Sequence, residues 1–204
     1  MIIKFDHITY VCAKLEVDKV LENYYIMGYR KKFSEIGLEN ISIKRPLCKY
    51  KHQTHDLYYL FCENKLSVEV VSYDMIYQSS VMKLDDDIIA FAEDIIAVEK
   101  LLLILGAKAV QTDHIFNIKG IFDKFDVMLQ IQSKEDTGIY YLDSGGLGCI
   151  TLLVDSLEKI QKRIMNTEYI YSRIEKLCVN NEVLNIMFVS TPNRELIFEL
   201  ISKL

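Results

Sequence analysis

The order of apolar and polar residues predicts that one short arrangement of strand and helix occurs near both ends of the chain. Residues 2–12 alternate as a half-buried strand does, with His7 in its middle. Apolar residues at helical spacing follow at about 16–27. The same order returns near the end, with a strand at 148–154 and a helix at about 156–166. Both segments therefore begin as a strand that runs directly into a helix.

A shift of 142 positions relates the two opening strands without a gap. The matching pairs are Ile8 with Ile150, Thr9 with Thr151, Leu15 with Leu157 and Glu16 with Glu158. The same shift places His7 on Cys149. Each segment also closes on an apolar strand that carries one carboxylate, which is Glu69 in the first segment and Glu199 in the last. The chain is therefore interpreted as a repeat with polar residues of ligand type at equivalent places.

Further strands are predicted between the helix and the closing strand of each segment. The first segment has strand candidates at 29–35, 40–46, 57–62 and 66–73, of which the last two form a hairpin. The last segment has candidates at 168–178, 182–190 and 194–202. Asn-Asn and Pro-Asn pairs separate the strands of the last segment, as is typical of turns. Each segment is thus predicted to be one βαβββ module.

The middle third of the chain repeats the pattern more weakly. It has a strand at 87–92, a strongly apolar helix at 95–105 and a closing strand at 129–133. Asp87 and Gln130 take the opening and closing positions. We therefore expect a first module at 1–74, a degenerate middle module at 75–134 and a last module at 146–204.

Composition and charge exclude several classes of partner. The chain has 204 residues, of which 50% are apolar, and a formal net charge of −5, which gives no attraction to nucleic acid or to an anionic membrane. Its longest mostly apolar run, 95–107, is shorter than the roughly 20 residues of a membrane-spanning helix. The N-terminal residues lack the pattern of a signal peptide, and five cysteines without a CxxC pair do not indicate a disulfide framework. A cytoplasmic protein with reduced thiols is expected.

The module, with a histidine on its opening strand and an apolar-Glu-apolar closing strand, resembles the vicinal oxygen chelate superfamily, which includes glyoxalase I, methylmalonyl-CoA epimerase, extradiol dioxygenases and bleomycin-resistance proteins. The segments that carry the resemblance are 3–21, 57–73, 147–160 and 186–202. It implies an α+β fold in which repeated βαβββ modules form open, barrel-like mixed sheets around a cleft.

By the same resemblance, the first and last strands of each module supply the ligands of a divalent metal ion, Zn, Mn, Ni or Fe. The positions that match are His7, Glu69, Cys149 and Glu199. The two glutamates are also the candidate catalytic residues, because a carboxylate beside a metal can move a proton. A more ordinary explanation exists for each residue: a histidine satisfied by a neighbouring strand, glutamates on a solvated sheet face, and a small buried cysteine.

Two functions follow from the resemblance. One is a metal-assisted lyase, isomerase, epimerase or dioxygenase that acts on a small oxygen-bearing metabolite. The alternative is a non-catalytic protein that binds or sequesters a small molecule, as in the bleomycin-resistance branch. Cys149, Asp87 and Gln130 depart from the ligand pattern and favour the alternative. With three modules, one of them either pairs across a homodimer or is an insertion beside an intramolecular pair.

A second group of metal-binding residue types occurs before the third strand of the first module. Cys48, His52 and His55 have a C-x3-H-x2-H spacing, which matches no zinc signature. We interpret them as residues of a polar loop.

Overall fold

The computed structural model describes residues 3–63, 65, 67–77, 141–190 and 197–203. The strands are β1 (Ile3–Ala13), β2 (Arg30–Glu39), β3 (Thr54–Phe61), β4 (Ser67–Tyr73), β5 (Gly146–Val154), β6 (Ile170–Tyr171), β7 (Glu175–Val179), β8 (Glu182–Ser190) and β9 (Ile197–Lys203). The helices are α1 (Val17–Ile26) and α2 (Leu157–Ile164). Short 3-10 turns lie at Lys14–Glu16 and Arg45–Leu47. Within the described residues, no helix has the length and apolar character needed to cross a membrane.

The nine strands form one mixed sheet in the order β2-β3-β4-β1-β5-β9-β8-β6, and β7 also pairs with β8. In each half the opening strand lies parallel to its own closing strand, β1 beside β4 and β5 beside β9. The two opening strands pair antiparallel at the centre. The first and last segments of the chain therefore stand side by side in one continuous sheet.

The central pair of strands has the register expected of two equivalent halves. Ile8 pairs with Ile150, which is its own equivalent under the shift of 142 positions. On either side of this pair, His7 lies opposite Thr151 and Thr9 lies opposite Cys149. The two halves are consequently related by an approximate twofold axis that passes through the pair of isoleucines.

The two faces of the sheet have different surroundings. One face is covered by α1 and α2 and holds the main apolar core. The helices contribute to it Val17, Leu21 and Tyr24 from α1 and Leu157, Ile160 and Ile164 from α2. Ile8 and Ile150 join this core from the sheet and are 2% and 1% exposed. Because side chains alternate along a strand, the residues flanking the isoleucines point to the opposite face. That face lines a cleft.

Local sequence signals set the limits of both helices. Gly28 follows α1 at a φ of 92° and donates its N–H to the carbonyl of Tyr25, while Tyr29 donates to the carbonyl of Tyr24. A glycine in this conformation closes the helix without the steric cost of a Cβ. At the start of α2, Ser156 Oγ accepts the backbone N–H of Lys159 as an N-cap. Both helices are thus fixed where they meet the sheet.

The prediction of a strand at 40–46 is wrong. A single strand, Arg30–Glu39, replaces the two predicted short ones, and the chain then turns through the 3-10 segment Arg45–Leu47. The side chain of Arg45 donates to the carbonyl of Asn40 at 2.9 Å and holds the turn. Pro46 stands in the turn, where its missing N–H leaves no strand hydrogen bond unmade.

The last segment has two short strands where one was predicted. The single strand predicted at 168–178 is divided into β6 and β7, which both pair with β8. The strand, helix and hairpin predicted for the middle segment, with Asp87 and Gln130, lie outside the described residues. The division into modules at 1–74, 75–134 and 146–204 therefore stays a prediction. The α+β class and the open mixed sheet are confirmed.

Candidate functional site

The face of the sheet opposite the helices borders a cavity of ≈ 220 Å³. Both halves of the chain contribute to its lining. His7 from β1, Glu69 from β4 and Glu199 from β9 lie together there, near the approximate twofold axis. Three of the four residues predicted as metal ligands are therefore side by side in the structure.

A β-bulge gives His7 a neighbour that simple alternation would not. The pairing of β1 with β5 shifts register between Phe5 and His7, so that Asp6 is the extra residue. Asp6 and His7, although adjacent in sequence, both line the cavity. Asp6 Oδ2 lies 2.8 Å from His7 Nδ1.

His7 Nε2 is a buried nitrogen between two carboxylates. It lies 3.6 Å from Oε2 of Glu69 and 3.7 Å from Oε2 of Glu199. It has no hydrogen-bond partner, and the whole residue is only 5% exposed. A buried polar atom without a partner is energetically unfavourable, by about 1–3 kcal/mol. The geometry therefore favours a ligand or ion that would satisfy Nε2 and both carboxylates together.

Tyr59 fixes the position of His7 and Asp6 from β3, which is separated from β1 by β4. Its ring meets the His7 ring edge-on at 5.4 Å between centroids and stacks on Phe33 at 5.2 Å. Burial raises the pKa of Tyr59 to about 12, so that the hydroxyl stays protonated and donates to Asp6 Oδ2 at 3.4 Å. The imidazole is thus held by a hydrogen bond on one side and by an aromatic wall on another.

The two glutamates stand in equivalent surroundings. Thr9 lies opposite Glu69 across β1 and β4, and Thr151 lies opposite Glu199 across β5 and β9. Thr9 Oγ1 donates to Glu69 Oε1 at 3.4 Å, whereas Thr151 Oγ1 donates to Glu199 Oε2 at 2.7 Å. The threonines that match in the sequence repeat therefore orient the two carboxylates, and the bond in the second half is the shorter one.

Cys149 occupies the place equivalent to His7, as the repeat predicts, but it has different contacts. Its Sγ donates to Thr9 Oγ1 at 3.3 Å, and the residue is 4% exposed. Burial, and then the nearby charge of Glu199, raise the pKa of the Cys149 thiol. The group is therefore a protonated donor, whereas a metal ligand is a thiolate. Its role as a fourth ligand stays a prediction.

The charges of the cleft shift three pKa values. Burial opposes protonation of His7, but the hydrogen bond to Asp6 and the charges of Glu69 and Glu199 outweigh it and raise the His7 pKa. For Glu199, burial and the charge of Glu69 raise the pKa, against the opposing effects of His7 and Thr151. For Asp6, burial acts to raise the pKa, yet the hydrogen bond and charge of His7 lower it. Glu199 is consequently a more basic carboxylate than an ordinary one.

The cleft contains side chains of the kinds that bind divalent cations, but they are not arranged as a complete coordination site among the described residues. Across the described ranges, no group of three or more His, Cys, Asp or Glu side chains stands close enough to hold a metal ion. The separations of 3.6 and 3.7 Å nevertheless fit ligands of one ion, since each ligand atom of zinc lies about 2.1 Å from the metal.

The other candidate group, Cys48, His52 and His55, does not assemble. Cys48 is buried and accepts a weak hydrogen bond from Asn40 Nδ2 at 3.7 Å, while His52 is exposed. His55 lies on β3, buried, with its ring against the cavity. The sequence could have indicated that His55 faces the cleft. His55, Leu57 and Tyr59 alternate along β3 and therefore lie on the same face of the sheet.

Comparisons with known proteins identify the fold. No family model and no curated protein matches the sequence. A mutant of 4-hydroxymandelate synthase from Streptomyces coelicolor is structurally similar with a TM-score of 0.52 and 10% identity, over 99% of this chain and 49% of that one. Methylmalonyl-CoA epimerase from Mycobacterium tuberculosis is similar with a TM-score of 0.46 and 12% identity, over 98% and 87% of the two chains. This chain therefore spans about half the length of the synthase.

Proposed function

Since this chain has the vicinal oxygen chelate fold, we propose that it is a metal-assisted enzyme of that type, which transfers a proton on a small oxygen-bearing metabolite. The observation that carries the proposal is the buried, unpartnered Nε2 of His7, which lies 3.6 and 3.7 Å from two carboxylate oxygens. A lyase, isomerase, epimerase or dioxygenase reaction would each use such a centre.

His7, Glu69 and Glu199 would hold the metal. One imidazole and two carboxylates suit Zn, Mn or Fe and leave coordination positions open for a substrate. When bound, the ion would polarise the substrate oxygens and stabilise the negative charge that develops on them. Asp6 would be the positioning residue, because its bond to Nδ1 keeps Nε2 free to act as a ligand. Cys149 would be a fourth ligand only for a thiophilic ion such as Zn.

Glu199 is the residue best suited to move the proton. Burial, and then the charge of Glu69, raise its pKa among the side chains of the cleft. Glu199 would act as the base when it is displaced from the metal, because a bound cation lowers the basicity of a carboxylate. Thr151 occupies its Oε2 through the 2.7 Å hydrogen bond. The proton from a carbon next to a carbonyl would therefore be taken at Oε1. The desolvated walls of the cleft would strengthen these interactions.

The first experiment measures metal binding and proton exchange together. The purified protein is reconstituted with Zn, Mn, Ni or Fe(II), and bound metal is determined by elemental analysis. In heavy water, deuterium entry next to the carbonyl of small 2-oxo and 2-hydroxy acids is followed by NMR. We expect His7→Gln to lower the bound metal and Glu199→Gln to stop the exchange. Glu39→Gln is the control, because this cleft residue is 82% exposed at its side chain.

A binding protein without turnover is the second candidate. It is supported by Cys149, whose protonated thiol is tied to Thr9, and by the lack of an assembled metal group among the described side chains. If no divalent ion binds after reconstitution and no substrate exchanges deuterium, the enzyme proposal is refuted and the binding function is favoured. Stoichiometric metal lost in His7→Gln would exclude the binding-only function.

A further inference from the structure

A second polar group lies in the same cleft, away from His7. Lys44, from the loop between β2 and β3, places its Nζ over the Tyr73 ring at 5.7 Å from the centroid. The His55 ring lies 5.3 Å from the same ring, between centroids. Lys44 and His55 both line the cavity. The two side chains therefore both lie close to one tyrosine ring.

This group is set apart from the His7 centre by the register of the sheet. His55 pairs with Tyr73, and four residues along the same strands Tyr59 pairs with Glu69. At roughly 3.3 Å per residue, the two places are about 13 Å apart along β3. His55 is therefore separated from the His7 centre along the cleft, whereas the charge of Lys44 still acts on Glu199.

Neither side chain has a charged partner that would satisfy it. Lys44 makes no ion pair with a carboxylate in the part of the chain that the structure describes; it is hydrogen-bonded to the Tyr73 hydroxyl and feels the charge of Glu69 at longer range. His55 is 5% exposed, and its buried Nδ1 has no hydrogen-bond partner. Burial, followed by the charges of Lys44 and Lys14, lowers the pKa of His55 to about 2, so the ring is neutral and can donate one N–H. An anion placed between them would receive a charged and a neutral donor.

Apolar side chains also line the cavity. The lining includes Leu57, Leu177, Leu184, Ile186, Phe188 and Ile201. The other acidic groups at the cavity have partners of their own, since Glu35 accepts the backbone N–H of Asn180 at 2.7 Å and Glu182 pairs with Lys203 at 3.2 Å. The cleft therefore combines apolar lining residues with a lysine that has no carboxylate partner among the described residues.

We propose that Lys44 and His55 form an anion-binding subsite, which makes the ligand of this cleft an amphipathic acid with an apolar body and a carboxylate or phosphate head. The head group lies on Lys44 Nζ and the N–H of His55, and the apolar body extends toward His7. This inference rests on the proposed function only in assigning the far end of the ligand to the His7 centre. The subsite itself requires no metal.

Binding of octanoate, octyl phosphate and 1-octanol to the metal-free protein tests the subsite by calorimetry at pH 7. We expect both anions to bind more tightly than octanol, and added salt to weaken only the anions. Lys44→Met should weaken the anions about tenfold and leave octanol unchanged, because a hydrogen bond to a charged group is lost. His55→Gln, which keeps a donor, should weaken them less. The tighter of the two anions identifies the head group.

Lys32→Met is the matched control, because Lys32 also lies over a tyrosine of the cavity, 5.8 Å from the Tyr59 centroid, but at the His7 end. The subsite is refuted if Lys44→Met and Lys32→Met weaken the anions equally, or if octanol binds as tightly as octanoate. Should Lys44→Met fail to fold, absence of the salt effect in the native protein refutes it as well. Anion binding that persists without any metal affinity refutes the proposed function and leaves the subsite standing.

Discussion

Replacing His55 by Phe should make the stability of the protein less sensitive to acid. In the folded protein, burial and the charges of Lys44 and Lys14 lower the pKa of His55 to about 2, whereas an unfolded histidine titrates near pH 6.5. The unfolded state therefore takes up the proton first as the pH falls. The stability contributed by the neutral, buried His55 is fully present above about pH 6.5 and is lost progressively as the pH falls toward the folded value.

The loss of unfolding free energy depends on how many pH units the solution lies below about pH 6.5. Each pH unit in this range costs about 1.4 kcal/mol of unfolding free energy, so that the loss between pH 7 and pH 5 is about 2 kcal/mol. In His55→Phe this contribution is absent, while every other group titrates as before. The quantity to compare is the change in unfolding free energy between the two pH values. Any packing change caused by the phenylalanine then cancels.

Urea unfolding at pH 7 and pH 5, followed by far-ultraviolet circular dichroism, measures the change in unfolding free energy between the two pH values. We expect the native protein to lose about 2 kcal/mol more than His55→Phe over this interval. His52→Phe provides the matched control, since it makes the same substitution at an exposed histidine three residues earlier. Equal losses in the native protein and His55→Phe would show that His55 accepts a proton when folded, and the reasoning would be wrong.

Two further predictions concern the centre of the sheet. Gly148→Ala should lower the unfolding free energy by about 1–3 kcal/mol, because an added Cβ would lie 2.8 Å from Cγ2 of Val11; a thermal melt with an unchanged midpoint would contradict this. Thr151→Val should raise the pKa of Glu199 and cost about 1–3 kcal/mol, since it removes the 2.7 Å hydrogen bond. Thr9→Val, which removes a bond of 3.4 Å, should cost less in the same urea titration; equal costs would contradict the assignment.

The centre of the cleft could be predicted because each of its residues stands in a regular strand. His7, Glu69 and Glu199 face the cavity in the order that alternation and the repeat indicate. Asp6 could not be found in this way, since alternation assigns it to the opposite face. A one-residue bulge turns it toward His7, and a bulge depends on the pairing of β1 with β5, which the local sequence does not encode.

The loop between β2 and β3 was predicted less well for a related reason. Ile41 and Ile43 alternate with polar residues as a strand would, and Ile43 is indeed 6% exposed. Ile43 is buried, and Ile41 partly buried, by contact with the second half of the chain, in a cluster that includes Phe188 and Ile197. The apolar residues of this loop are explained by their contact with a distant segment and not by a strand. The same contact positions Lys44 in the cleft.

The central seam of the sheet also bears on how the molecule can associate. Because Ile8 faces Ile150 on the approximate twofold axis, the hydrogen bonds between β1 and β5 do not depend on whether both strands come from the same chain. Two copies that exchanged their second halves would form the same seam twice. The pairing of β1 with β5 therefore fixes the register of the two halves, but it does not determine whether both halves belong to the same molecule. Protein concentration and the connection between the halves decide between a closed monomer and a domain-exchanged pair.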